Sequence, residues 1–84
     1  MLVTLDQLQS VLGMEGFSLT EVRDRVLTFD REGEIVYCTG AFYVGHQLVV
    51  HTDHLLYYIA IWDPDLAARL DERFQRLDES GLEG

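Results

Sequence analysis

From Val26 to Trp62 the chain is never far from a turn signal, and this spacing limits its topology more than any other feature. Asp30-Arg31-Glu32-Gly33, Gly40, Gly45 and Thr52-Asp53 cut the region into short runs at Val26–Phe29, Glu34–Cys38, Ala41–Val44, Leu48–His51 and Leu55–Trp62. Runs of this length and β-branched or aromatic content, bounded by polar breaks, read as strands. A parallel crossover needs about a dozen residues or more, so strands joined this closely pair antiparallel.

Helical signals flank the β region. Thr4 and Gln7 have the spacing of a capping box, with Val3 and Leu8 at the positions of a hydrophobic staple. Leu5, Leu8, Val11 and Leu12 share a face, and Gly13 is placed as a stop. At the other end Asp63 is placed to cap, Pro64 to take the first helical position, and Asp65 to meet the positive end of the dipole. The spacing predicts a helix over 64–80 with Leu66, Leu70, Phe74 and Leu77 buried, Asp65–Arg69 and Glu72–Arg76 as i,i+4 pairs, and Gly81 as a stop.

Residues 17–30 admit two readings. Ser18-Leu19-Thr20-Glu21 has the form of a second capping box, with Phe17 and Val22 as its staple, which implies a short helix before the strand. Alternatively Arg23-Asp24-Arg25 is the turn of a two-strand hairpin. Either way the expected class is α+β: a short N-terminal helical region, an antiparallel sheet of three to five strands, and a C-terminal amphipathic helix packed on the sheet.

Composition narrows the function classes. At 84 residues the chain has room for one domain, residues 1–84, with 81–84 expected to fray. An apolar content of 48% with four Tyr, four Phe and one Trp is that of a packed domain rather than a disordered segment. A single cysteine, Cys38, excludes a disulfide scaffold. Fifteen acids face six basic residues, all Arg, for a net charge of −9, which opposes direct binding to nucleic acid or to an anionic membrane. The first residues lack the basic region of a secretory signal. The longest apolar stretch, 41–62, is broken by Gly45-His46-Gln47 and His51-Thr52-Asp53-His54, so a cytoplasmic location is expected. Lys and Asn are both absent, which fits chance, a GC-rich genome or adaptation to high salt.

Leu55-Leu56-Tyr57-Tyr58-Ile59-Ala60-Ile61-Trp62 does not alternate, so as a strand it is apolar on both faces. One face then needs cover from residues 17–26, from a second copy of the chain or from another protein. Tyr57, Tyr58 and Trp62 are residue types enriched at binding hot spots and are the candidate contact residues, with a homodimer as the simplest arrangement.

Other constellations are weaker. His46, His51, Asp53 and His54 fall within nine residues and are chemically suited to zinc, but Thr52-Asp53 reads as a turn, and no metal site or cofactor is expected. Cys38 sits in an apolar run where a buried, inert thiol is the common case. No glycine-rich phosphate loop is present, and no enzymatic activity is expected. The order of elements through residues 4–38 resembles that of winged-helix DNA-binding domains. In that likeness Ser18–Arg25 would be the recognition helix, carrying Arg23 and Arg25 but also Glu21 and Asp24.

The acids are unevenly placed. Ala41–Trp62 contains only Asp53, whereas Asp63–Gly84 contains seven acids and three Arg. The expectation is a small acidic, non-enzymatic interaction module. Asp71, Glu72, Asp78 and Glu79 would meet a basic, nucleic-acid-binding surface of a partner protein and block it. A winged-helix-like regulator and a metal- or ligand-binding domain built on the His46–His54 cluster are the alternatives.

Overall fold

A computed structural model describes the backbone of residues 1–83 and the side chains of residues 1–77. The elements are β1 (Leu2–Thr4), α1 (Leu5–Met14), β2 (Ser18–Arg23), β3 (Val26–Arg31), β4 (Glu34–Cys38), β5 (Phe42–Val44), β6 (Gln47–His51), α2 (Thr52–Trp62) and α3 (Pro64–Glu83). The class is α+β, as the sequence implies, but there are two three-stranded sheets rather than one, in the orders β1-β6-β5 and β2-β3-β4. All four strand pairings are antiparallel.

The local rules account for α1. Thr4 Oγ1 accepts from the Gln7 amide at 3.2 Å and Gln7 Oε1 accepts from the Thr4 amide at 3.0 Å, closing the capping box. The helix does not stop at Gly13. It runs to Met14, is capped at Glu15 and turns away at Gly16, whose φ of 89° is open to glycine at no steric cost. The Phe17 amide reaches back to the Leu12 carbonyl at 3.0 Å and the Gly16 amide to that of Gly13 at 3.0 Å. That is a Schellman ending, with Phe17 and Leu12 both buried as its apolar pair.

The ambiguous segment is a hairpin. Ser18 and Glu21 form no capping box, because both lie in β2. The turn is Asp24-Arg25, with φ of 51° and 63°, between the paired residues Arg23 and Val26. With the second helix absent, the likeness in element order to winged-helix domains lapses. β3 extends to Arg31, so the next turn is Glu32-Gly33, at φ of 51° and 90°. Both hairpins have the two positive-φ positions of a type I′ turn.

The largest departure from the sequence reading is at Leu55–Trp62, which is helical, within α2, and not a strand. The reason is the supply of partners. β6 pairs with β1 up to Leu2↔His51 and with β5 only to Phe42↔Val49, so beyond His51 no strand continues the ladder. The Thr52 amide instead bonds the Met1 carbonyl at 2.9 Å, and the chain turns into a helix that satisfies its own backbone groups.

α3 begins as expected: the Leu66 amide donates to Asp63 Oδ1 at 3.1 Å. Leu66, Leu70 and Phe74 are buried and Leu77 is packed against the core from its edge. The main neighbours of the helix are α2 and then α1, however, rather than either sheet. Its assigned range runs through Gly81, which is therefore no stop. Of the run 81–84 expected to fray, Gly84 and the side chains of the others lie outside the described residues. The core joins Val3, Leu8 and Leu12 to Phe29 and Val36 of the meander and to Leu55, Ile59 and Phe74 of the helices.

Candidate interaction surfaces

α2 is apolar nearly all round. Thr52, Leu55 and Ile59 face the core, and no charged residue occurs between Leu55 and Trp62. Pointing away from them are Tyr57 at 75% exposure and Ile61 at 72%, while Tyr58 at 41% and Trp62 at 39% lie on the flank beside Leu55. Tyr57 and Ile61 are four apart, as are Tyr58 and Trp62, so they form two parallel ridges along the helix. A helix apolar on every side is normally buried on every side. Tyr57, Tyr58 and Trp62 are each exposed, on a helix rather than a strand, and Ile61 is exposed beside Tyr57. Sequence reasoning missed Ile61 because the candidates were chosen as aromatic residue types enriched at hot spots.

The acidic helix is partly neutralised from within. Asp65 does not pair with Arg69. Instead Arg69 forks onto Glu15 at the end of α1, with Nε to Oε2 at 3.1 Å and Nη2 to Oε1 at 3.0 Å. Arg73 approaches the same carboxylate at 3.4 Å. The Glu15 side chain is only 10% exposed, and its pKa lies below the usual carboxylate value. The Arg69 hydrogen bonds are the main cause, opposed by burial and aided by the charges of Arg69, Arg73 and Arg31. Arg31 adds a hydrogen bond to the Glu15 carbonyl at 3.2 Å and stacks over Phe17 at 4.6 Å. Nothing in the sequence announced this cluster, which joins residues more than fifty positions apart.

Arg76 holds Glu72 at 2.7 Å, as the spacing suggests. All three arginines of α3 are therefore engaged by carboxylates. Asp65 and Asp71 are exposed, and among the described residues neither lies within ion-pair distance of a cation. Asp71 accepts one hydrogen bond, from Gln75 at 3.2 Å. The side chains of Asp78 and Glu79 lie outside the described residues.

The histidines are dispersed by the local structure. His46 occupies the β5–β6 turn, His51 ends β6 with its ring 6.1 Å from that of Phe42, and His54 lies in the first turn of α2. Asp53 faces the N-terminal amine at 3.5 Å. Among the described residues no three His, Cys, Asp or Glu side chains converge as a metal site would require. Cys38 is buried on β4, and burial pushes its thiol up to about 12.

Among the described residues, two open grooves stand out. One, of about 510 Å³, runs between α1 and α3 past Val11, Met14, Arg69, Arg73 and Arg76. The other, of about 330 Å³, lies beside Asp6, Tyr43 and His46. Neither is lined by a residue of α2. Among the described residues no helix is long and apolar enough to cross a membrane. Comparison with protein-family models, with curated proteins and with solved structures found no match to this chain.

Proposed function

We propose that this protein is a non-enzymatic, cytoplasmic interaction module that presents the outer side of α3 to a basic surface of a partner protein and blocks it. The observation that carries the reading is the segregation of charge on α3. Arg69 and Arg73 are drawn to Glu15, and Arg76 is held by Glu72, so the acids Asp65 and Asp71 face solvent and form no ion pair among the described residues. The whole chain carries a net charge of −9, which speeds encounter with a basic surface and repels an acidic one. A site evolved to bind phosphates has the complementary field.

The test is a binding titration against purified basic nucleic-acid enzymes at rising salt, with a DNA duplex as competitor. Affinity should fall as salt rises, the duplex should displace the protein, and Asp65→Asn with Asp71→Asn should weaken binding. Binding indifferent to salt, or left intact by the double variant, would count against the reading.

A further inference from the structure

We infer that the outward face of α2 is closed by a second copy of this chain, in a two-fold contact centred on Tyr57, Tyr58, Ile61 and Trp62. The inference rests on different residues from the proposed function and survives if that reading fails. Its first support is area. With whole side chains of this kind offering about 150–250 Å² each, the exposed parts of these four leave roughly 450 Å² of apolar surface per copy. A stable interface covers roughly 800 Å² per partner, of which about 55–65% is apolar, so the four side chains supply the apolar share of one such contact.

The second support is what the patch lacks. The chain has 15 acids, yet none falls between Leu55 and Trp62; Asp53 and Asp63 stand only at the two ends of the helix. A patch built to meet a basic partner would place carboxylates around its apolar centre. A patch with no acid at its centre, and with Asp53 at its edge facing the N-terminal amine, is where a like-charged molecule of net charge −9 can approach without burying charge against charge. A two-fold contact needs the same patch on both sides and nothing else. The Tyr57–Ile61 and Tyr58–Trp62 ridges also have the four-residue spacing by which crossed helices interdigitate.

Sedimentation at micromolar concentration, at low and high salt, decides the matter. The expected result is a dimer that tightens as salt screens the repulsion between copies. Ile61→Glu alters a side chain that is exposed in the single chain, so circular dichroism and melting of the monomer should be preserved while dimer affinity falls by roughly 100-fold or more. Tyr57→Glu provides a second, independent variant. A protein that is monomeric at both salt concentrations would overturn the inference and assign the face to a different partner. A dimer unaffected by either glutamate would overturn it too. Repeating the α3 titration with the Ile61→Glu monomer separates the two ideas, because binding to a basic surface should persist in it.

Discussion

Replacing Glu15 by Gln tests whether the junction of α1 and α3 is electrostatic in origin. The carboxylate receives two guanidinium hydrogen bonds from Arg69 at 3.0 and 3.1 Å and a looser contact from Arg73 at 3.4 Å. Hydrogen bonds to charged groups contribute about 1.5–3 kcal/mol each, but both arginines are partly exposed and regain water, which discounts the pair to about 2 kcal/mol in all. Glu15 also sits at the negative end of α1, and removing its charge returns about 0.5 kcal/mol. The net expected loss for Glu15→Gln is therefore about 1.5 kcal/mol at neutral pH, or a drop in Tm of about 10 °C for a chain of this size.

The pH dependence gives the sign. The folded-state pKa of Glu15 is depressed below its ordinary value of 4.5, so its contribution is fully present above that value. It is lost as pH falls through the folded pKa, where the native carboxylate takes up a proton. Chemical denaturation of both proteins from pH 7 to pH 3 should show a stability gap that is flat at neutral pH and closes in acid. A gap below about 0.3 kcal/mol at pH 7, or one that stays constant into acid, would refute the reasoning.

Phe74→Ala should lose about 3–5 kcal/mol in denaturant unfolding, since the ring is fully buried beneath α3; near-wild-type stability would mean that α3 is not docked through this face. Arg25→Gly should stabilise by about 0.5–1 kcal/mol, because Arg25 sits at φ 63° where a side chain is strained and glycine is not. Its carbonyl bond to the Ala41 amide is kept, so a loss of stability would point to an unseen role for the guanidinium. Cys38, with its thiol pushed up to about 12, should resist thiol reagents at pH 8 in the native state and react only at the rate of unfolding.

How far the sequence carried depends on the range of the interactions involved. The capping box of Thr4 and Gln7 and the Asp63 cap of α3 are set within four residues, and both were legible. The Asp24-Arg25 turn was only half legible, because two non-glycine residues hold its positive-φ positions. The run 55–62 misled. Eight apolar residues in a row have no period, and the decision between strand and helix fell to whether β6 had a partner beyond His51. β1 was missed for a related reason, since a three-residue strand is recognisable only by the strand it pairs with. The contact candidates fared likewise. Tyr57, Tyr58 and Trp62 are exposed on α2, yet the two-faced sheet that first singled them out does not exist. For the acidic helix, the spacing pointed Arg69 at Asp65, and only the fold could bring Glu15 to it.

The pairing of β1 with β6 also sets an order of events in time. The β2-β3-β4 meander is closed by two-residue turns, and hairpins of that kind form in about 1–10 μs. Bringing Thr4 to Val49 closes a loop some fifteen times longer than the one between Arg31 and Glu34, at an added entropic cost of roughly 2 kcal/mol. The meander should therefore be in place when the barrier is crossed, with β1 joining β6 afterwards. Stopped-flow measurements should find that Val3→Ala, which thins the core beneath β1, speeds unfolding and leaves the folding rate nearly unchanged. Val36→Ala in the meander should slow folding. On that order, Leu2–Thr4 acts as a latch: it contributes little to the search for the native state and a good deal to how long the molecule stays there.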